Sequence, residues 1–159
     1  MHEAAALRRA VSGDRDRLIA MQRAAYAPNR AIIGRVPTPL TWDYDAVLAD
    51  REVWLAEDDG AIAGALILEA CPDELYIQSI AVAPHAQGSG VGNRLLAHAE
   101  RRAAEMGLGV LSLTVNDLMA FNIDWYTRHG FVIGQIETNQ EHRRIHMARA
   151  LNGPATPSL

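Results

Sequence analysis

Residues 87–92 of this chain have the sequence Gln87-Gly88-Ser89-Gly90-Val91-Gly92. An apolar run that predicts a strand, Leu75 to Val82, precedes them, and an amphipathic run that predicts a helix, Val91 to Met106, begins inside them. Glycines at such a turn let the backbone approach a phosphate without interference from side chains. The free N–H groups and the dipole at the helix N-terminus favour negative charge. The stretch therefore predicts a phosphate-binding turn, with a plain glycine-rich turn as the alternative.

Two common phosphate-binding motifs do not fit these residues. A P-loop needs Gly-Lys-Ser/Thr, whereas Gly92 is followed by Asn93 and Arg94. A dinucleotide fingerprint needs G-x-G-x-x-G near the first strand, whereas these glycines alternate and lie past the middle of the chain. The fitting pattern is Gln-x-x-Gly-x-Gly after a strand ending in Ile-Ala-Val-x-Pro, residues 80–84. On these residues the chain resembles the GCN5-related N-acetyltransferase (GNAT) superfamily, whose corresponding loop binds the pyrophosphate of acetyl-CoA.

Length and composition predict one globular domain. A chain of 159 residues suits one hydrophobic core, and 49% hydrophobic with 21% charged residues is ordinary for such a domain. The net charge of −4 and the scattered Lys and Arg residues argue against a nucleic-acid partner. The apolar runs are too short to cross a membrane and no signal peptide is recognised, so we expect a cytoplasmic protein without a membrane partner. Cys71 is the single cysteine, which excludes an internal disulfide.

Apolar periodicity predicts seven strands and four helices within residues 1–151, with a disordered tail at 152–159. The predicted strands cover 7–11, 52–57, 61–69, 75–82, 110–115, 131–136 and 144–150. The first predicted helix starts at 12–14 and ends at Pro28, and the others cover 43–49, 91–106 and 121–128. This order matches a single GNAT acetyltransferase domain over nearly the whole chain. The expected fold class is α/β (α+β), with a mixed, mainly antiparallel seven-stranded sheet, helices on both faces, and a splay between the fourth and fifth strands.

The resemblance also implies how the co-substrate acetyl-CoA is held. Its pantetheine arm pairs with the backbone of the fourth strand, here Ile80, Ala81 and Val82, and an N–H of this stretch polarises the thioester carbonyl. The phosphates meet the backbone N–H groups of residues 88–92. The resulting cofactor-binding turn comprises Gln87, Gly88, Ser89, Gly90, Val91 and Gly92. Many relatives have Arg where this chain has Ser89, which predicts weaker binding or compensation by Arg94.

Tyr126 is the candidate general acid. It lies in Trp-Tyr-Thr-Arg-His-Gly-Phe, residues 125–131, which resembles the family signature Tyr-x-x-x-Gly-Phe, whose hydroxyl lies near the thioester sulfur. A phenol stays protonated at neutral pH and can donate to a departing thiolate. A structural aromatic at the helix-to-strand corner is the alternative. Asn122, one helical turn earlier on the same face, is assigned as a cofactor contact, with a hydrogen bond at the helix start as its alternative.

The general base is not identified by the sequence. Glu69, Asp73, Glu74 and His85 lie at suitable positions, but each also fits a solvated turn. Tyr76 occupies the position of a catalytic glutamate in some relatives. This departure suggests that the amine is deprotonated through ordered water or in the substrate's own environment.

The segment 37–44 corresponds to the roof of the acceptor site in the family. Trp42 and Tyr44 flank Asp43. The two aromatic rings would receive an amine through cation–π contacts, and Asp43 would form an ion pair with it. A hydrophobic cap over the sheet is equally compatible. Alternate side chains of a strand share one face, so three further residues are expected on the same face: His142, Arg144 and His146. They would be either acceptor contacts or plain surface. No metal site is predicted, because these histidines lack a third ligand.

These features predict an acetyl-CoA-dependent N-acetyltransferase in which a neutral primary amine attacks the thioester directly in a ternary complex. A small-molecule amine is the favoured acceptor, with a protein N-terminus or lysine as the alternative. An acyl-CoA-binding module without turnover is an alternative of a different class. Dimers are common in such folds, so a homodimer is compatible, but no residue fixes a subunit contact.

Overall fold

The computed structural model of the protein describes residues 6–139 and 142–151. Its strands are β1 (Arg8–Arg9), β2 (Glu52–Asp58), β3 (Ala61–Ala70), β4 (Leu75–Val82), β5 (Val110–Asn116), β6 (Val132–Thr138) and β7 (Arg143–Ala150). Its helices are α1 (Arg15–Ile33), α2 (Tyr44–Asp50), α3 (Val91–Glu105) and α4 (Ala120–Arg128). The tail predicted at 152–159 lies outside the described residues. Among the described helices, none has the length and apolar character that crossing a membrane requires.

The strands form one seven-stranded sheet in the order β1-β2-β3-β4-β5-β7-β6. Every neighbouring pair is antiparallel except β4 and β5, which run parallel. This confirms the predicted mixed, mainly antiparallel sheet. Because β7 inserts between β5 and β6, the spatial order of the last three strands differs from their order along the chain.

Helices cover both faces of the sheet, as predicted. The amphipathic helix α3 packs Leu95 and Ala99, both fully buried, against Leu66 and Leu111 of the sheet. On the opposite face, α1 and α2 cover β2 and β3 with Leu18 and other apolar side chains. Each fully buried leucine stabilises the fold by about 1.5–3 kcal/mol, so these two apolar layers dominate the folding free energy.

A bulge in β4 produces the splay that the family resemblance implies. Ser79 pairs with Ile67 and Ile77 pairs with Leu68, so Gln78 is an extra residue in β4. The ladder between β4 and β5 ends one residue earlier, at Ile77 and Leu113. Bulges bend a strand and increase its twist, which turns the end of β4 away from β5. The predicted splay between the fourth and fifth strands is therefore confirmed.

The first helix is longer than predicted. Pro28 lies inside α1, which continues to Ile33 and ends at Gly34 in the left-handed conformation, with φ 77°. A proline removes one backbone donor and bends a helix, but it does not supply a helix end. Gly34 does, because its N–H donates to the carbonyl of Arg30 at 2.9 Å. The prediction that Pro28 ends this helix is wrong.

Candidate active site

The gap between β4 and β5 exposes one edge of β4. On its other edge, Ile80, Ala81 and Val82 pair with β3. Toward β5, the described ladder contains no pair beyond Ile77. An extended strand with an unpaired edge can form main-chain hydrogen bonds with an extended ligand. The three predicted cofactor contacts of β4 therefore lie on a strand edge that faces an open slot.

The glycine turn lies at the end of this slot. Gly88 and Gly90 have φ values of 82° and 89°, and a Cβ added to either would meet no atom within 4 Å. Their backbone groups are thus open to a bulky anion. Gly90 precedes α3 without any side-chain cap, so the first-turn N–H groups of α3 have no intrahelical acceptor. Ser89 differs, because its N–H and its hydroxyl both donate to the carbonyl of Ala86.

Arg94 lies one turn into α3, where its N–H donates to the carbonyl of Gly90 at 3.1 Å. Its Nε is buried and has no hydrogen-bond partner among the described residues. A buried unpaired donor is costly unless a ligand satisfies it. Arg94 therefore places positive charge beside a turn in which Ser89 supplies none.

Tyr126 lies on α4 and packs edge-on against Trp125 and Phe131, with ring centroids 5.1 and 5.4 Å away. Burial raises the pKa of its phenol well above the usual value of about 10, and the nearby Tyr26 raises this pKa further. Tyr26 belongs to α1 on the opposite face of the sheet. Tyr126 is thus a partly buried aromatic side chain whose phenol stays protonated near neutral pH.

Two aromatic side chains that sequence reasoning missed hold α4 against the start of α3. His129 stacks on Trp125 at 4.0 Å, and its Nε2 lies 2.8 Å from the side-chain oxygen of Asn93. A Cβ at Gly92 would lie 3.5 Å from the Trp125 ring, which is an ordinary van der Waals distance, so α4 packs directly over the first turn of α3.

A buried polar cluster lies under α1, beside the bulge of β4. The Nε2 of Gln22 donates to the hydroxyl of Tyr44 at 3.0 Å and to Ser79 Oγ at 3.4 Å, and the hydroxyls of Tyr26 and Ser79 are 2.7 Å apart. Gln22 is fully buried, and its Oε1 has no partner within the described part of the chain. Burial raises the pKa of Tyr26 to about 12. The cluster therefore offers one unsatisfied acceptor to a ligand.

The other predicted site residues differ in how deeply they are buried. Tyr44 is 4% exposed and its hydroxyl donates to the carbonyl of Pro39, so it lies in the core as a cap over the sheet. Trp42 is only partly buried, with its ring centroid 6.3 Å from that of Tyr44. Asn122 is partly buried in the first turns of α4, on the face of Tyr126.

The face of the sheet opposite α3 carries a line of hydrogen-bonding side chains across β4, β5, β7 and β6. The hydroxyl of Tyr76 donates to Thr114 Oγ1 at 2.8 Å, and this oxygen lies 3.2 Å from Nδ1 of His146. The Nε2 of His146 lies 3.4 Å from the carboxylate of Glu137. Sequence reasoning gave no signal for this line, because its members are adjacent only through strand order.

The four residues predicted as candidates for the general base, three acidic residues and one histidine, either bond to other side chains or lie exposed on turns. Glu69 accepts a hydrogen bond from Gln78 at 3.4 Å, and Glu74 accepts one from the Ser112 hydroxyl. Asp73 and His85 are exposed on turns. None of these four belongs to the line of hydrogen bonds that begins at Tyr76.

The sequence model described as the acetyltransferase (GNAT) family matches residues 19–131, which include most of α1, the slot, the glycine turn and Tyr126. The chain belongs to this family. An amino-acid acetyltransferase of Ralstonia nicotianae is 37% identical over 90 residues, which cover 55% of this chain and 19% of that protein. A streptothricin acetyltransferase of Streptomyces lavendulae is 41% identical over 86 residues, which cover 52% of this chain and 46% of that protein. The chain thus spans less than half the length of each relative.

Solved structures share this fold at lower identity. The ribosomal-protein-S18-alanine N-acetyltransferase of Escherichia coli has a TM-score of 0.76 at 22% identity, with 97% of both chains covered. The PaiA N-acetyltransferase of Thermoplasma acidophilum, solved in complex with coenzyme A, has a TM-score of 0.75 at 17% identity, covering 91% of this chain and 98% of that one. These likenesses establish the GNAT fold for this chain.

Proposed function

We propose that this protein is an acetyl-CoA-dependent N-acetyltransferase that acetylates a primary amine of a small molecule. Membership of the GNAT family supports the reaction class. The relatives named for an amino acid and for streptothricin support a small acceptor. The observation that carries the proposal is the combination of the open β4 edge, the glycine turn that follows it and the partly buried Tyr126 on α4.

The residues at this gap fit acetyl-CoA. The free edge of Ile80, Ala81 and Val82 matches an extended pantetheine arm, which pairs by its amide groups. The N–H groups of Gly88, Gly90 and the first turn of α3 match a pyrophosphate. The N–H of Ser89 is already bonded to Ala86, so we exclude it from the phosphate contacts. The unpaired Nε of Arg94 supplies a donor and a positive charge instead.

Acetyl-CoA supplies an acetyl thioester when bound; the protein supplies position and proton transfer. A backbone N–H of residues 80–82 donates toward the acyl oxygen and stabilises the charge that develops on it. Tyr126 donates its phenolic proton to the departing sulfur. Its raised pKa keeps this proton in place at every pH at which the protein is expected to work. Amine nitrogen attacks directly, because Cys71, the single cysteine, lies in the turn between β3 and β4 and away from the slot.

The acceptor is proposed to approach from the α1 face. There, the unsatisfied Oε1 of Gln22 can accept a hydrogen bond from an N–H of the acceptor. Trp42 is proposed as a flanking aromatic contact. Tyr44 is buried, so its proposed contribution is to hold Gln22 through their 3.0 Å hydrogen bond.

The test combines acetyl-CoA binding with turnover. Thermal shift with acetyl-CoA reports binding, since a ligand at 100 times its Kd stabilises the folded state by about 2.7 kcal/mol. Release of the CoA thiol is then followed with amino acids, streptothricin and a peptide that begins with alanine. Turnover of an amino acid or streptothricin supports the proposal. Turnover of the peptide alone supports a protein acceptor, binding without turnover of any of them supports a binding module, and no stabilisation by millimolar acetyl-CoA overturns the assignment.

A further inference from the structure

A proton must leave the acceptor amine, and the residues already described do not account for it. The amine is cationic in water, and only its neutral form attacks a thioester. Tyr126 is a donor rather than an acceptor, because its raised pKa keeps it protonated. A proton acceptor is therefore required on the face from which the amine approaches.

The line of side chains from Tyr76 to Glu137 has one consistent assignment of donors and acceptors. Tyr76 donates to Thr114 Oγ1, so the Thr114 hydroxyl is free to donate to Nδ1 of His146. His146 then carries its hydrogen on Nε2, which points at the Glu137 carboxylate 3.4 Å away. A carboxylate in this position selects that tautomer and stabilises the imidazolium. The phenol oxygen of Tyr76 keeps lone pairs for a donor from outside the line.

The line begins at the neck of the slot. Tyr76 directly precedes Ile77, and Thr114 directly follows Leu113, which together form the last pair before β4 and β5 separate. Both side chains lie on the face opposite α3, because Ile77 and Leu113 pack toward α3. The Tyr26–Ser79 pair occupies the same face just beyond the bulge. The far end of the line, His146, has a side chain that is 37% exposed, so it exchanges protons with water.

We propose that Tyr76, Thr114 and His146 form a proton relay that deprotonates the acceptor amine, which rests on the acetyl transfer proposed above. An N–H bond of the ammonium breaks and its proton passes to the Tyr76 oxygen, while the Tyr76 proton moves to Thr114 Oγ1. The Thr114 proton moves to Nδ1 of His146, which becomes an imidazolium beside Glu137 and releases the proton to solvent. Tyr76 and Thr114 end as they began. Tyr76 touches the substrate, and Thr114 and His146 act through it.

The first experiment needs no acceptor. Long-range ¹H–¹⁵N correlation spectra identify which nitrogen of a histidine carries the hydrogen. We expect the Nε2–H tautomer at His146 in the wild type and a shift toward a mixture in Thr114→Val, which removes the donor to Nδ1. An Nδ1–H tautomer in the wild type overturns the relay, because His146 would then donate toward Thr114 and could not accept its proton.

The second experiment uses an amine found by the turnover panel. We expect His146→Gln to lower kcat/KM on the order of 100-fold while leaving the Kd for acetyl-CoA unchanged. Thr114→Val should lower kcat/KM by a comparable factor, and Thr114→Ser, which keeps the hydroxyl, should have wild-type kcat/KM. Adding Thr114→Val to His146→Gln should lower kcat/KM no further. His98→Gln is the matched control, since this histidine packs against Trp54 at 4.2 Å on α3. Additive losses in the double variant, or full activity in His146→Gln, overturn the relay.

The pH profile separates a relay from a structural role. If His146 receives the proton, the pH dependence of kcat/KM should differ between the wild type and His146→Gln, whereas a purely structural role would leave the pH dependence the same. The titratable and charged groups on this face are Glu74 before β4, Tyr76, Arg144 and Glu137, so Glu137→Gln should also change the pH dependence. If no amine in the panel reacts, the proposed function fails and the relay fails with it, whereas turnover that His146→Gln leaves unchanged overturns the relay alone.

Discussion

The two helical layers are joined to the sheet by different interactions. On one face, α3 approaches β3 so closely that a Cβ on Gly64 would lie 2.7 Å from Val91 Cγ1 and 3.0 Å from the carbonyl oxygen of Ala81. On the other, α1 is held by the ion cluster of Asp14 at its start and by Gln22 and Ser79 in its middle. Both faces have an apolar layer. The α3 face adds a close backbone approach to it, and the α1 face adds charged and polar side chains.

This difference matches the two ligands proposed for the site. In the proposed arrangement, acetyl-CoA is held from the α3 face by backbone groups, which depend on the spacing of the glycines rather than on side-chain identity. The acceptor is proposed to meet individual side chains on the α1 face. Acetyl-CoA binding should therefore tolerate most side-chain substitutions, whereas the choice of acceptor should not.

Replacement of Tyr126, the proposed proton donor, should give the largest effect. Tyr126→Phe removes the proposed proton donor, and kcat should fall on the order of 100-fold or more, since general acid catalysis contributes about 10²–10⁴. The Kd for acetyl-CoA should stay within about twofold of the wild type, because the hydroxyl touches only the departing sulfur. Stopped-flow thiol release and calorimetric titration measure the two quantities.

The pH profile of the wild type supplies the control for this variant. Because the pKa of Tyr126 is raised, its phenol remains protonated and kcat should show no alkaline decline below about pH 10. A decline near neutral pH would contradict the role of Tyr126 as the acid. An unchanged kcat in Tyr126→Phe would assign the residue to packing against Trp125 and Phe131 alone.

The same contrast shows what could be predicted from sequence. The glycine turn and the segment containing Tyr126 are contiguous, so their motifs and the family resemblance that these carry were enough to find them. The relay side chains are not, since Thr114 lies 38 residues from Tyr76 and 32 from His146. They meet only because β7 inserts between β5 and β6, and apolar periodicity carries no information on strand order. The buried position of Gln22 could not be predicted either, because its contact with Ser79 lies beside a bulge in β4 that periodicity does not predict.

Replacement of Gly64 tests the close approach of α3. Gly64→Ala should lower the free energy of unfolding by about 1–3 kcal/mol, because Val91 and the Ala81 carbonyl cannot both move aside. It should also weaken acetyl-CoA binding, since Val91 is the first residue of α3. Urea unfolding and thermal shift with acetyl-CoA measure both effects.

Two variants sharpen the interpretation of Gly64→Ala. Gly13→Ala is the matched control, because a Cβ there meets no atom within 4 Å. Adding Val91→Ala should recover part of the lost stability by removing the 2.7 Å contact. A Gly64→Ala protein as stable as Gly13→Ala would contradict a close-packed α3 face.

The ion cluster at the start of α1 should make the α1 face sensitive to acid. Arg8 and Arg17 bond to the Asp14 carboxylate at 2.8 and 3.2 Å, and Arg8 above all holds the pKa of Asp14 well below its usual value. A depressed folded-state pKa contributes stability that is present above the unfolded pKa of about 4 and is lost as pH falls below it. Asp14→Asn should therefore lower the free energy of unfolding by about 1–2 kcal/mol at pH 7. The effect is limited because both arginines are partly exposed and water screens their charges.

Urea unfolding at pH 7, 5 and 3.5 checks this expectation. The difference between the wild type and Asp14→Asn should shrink as pH falls from 5 to 3.5, because the wild-type carboxyl becomes protonated in the unfolded chain. Asp58→Asn, an exposed aspartate on the adjacent strand, is the control and should cost little at any pH. Equal differences at all three pH values would show that Asp14 acts through its hydrogen bond to Val11 rather than through its charge.

Adding charge to the α3 face should give the smallest effect and the opposite sign. Ser89→Arg places a guanidinium at the exposed tip of the glycine turn, where one charge-assisted contact with a phosphate is worth about 0.5–1.5 kcal/mol at low salt. Acetyl-CoA should bind about 2- to 10-fold more tightly, and the gain should shrink in 0.5 M salt as the charge is screened. Ser12→Arg adds the same charge at an exposed position before α1, outside the proposed site, and should leave the Kd unchanged. Tighter acetyl-CoA binding in both variants would reflect net charge alone. Unchanged binding in Ser89→Arg would mean that the phosphates do not reach the tip of the turn and that Arg94 already neutralises them further along α3.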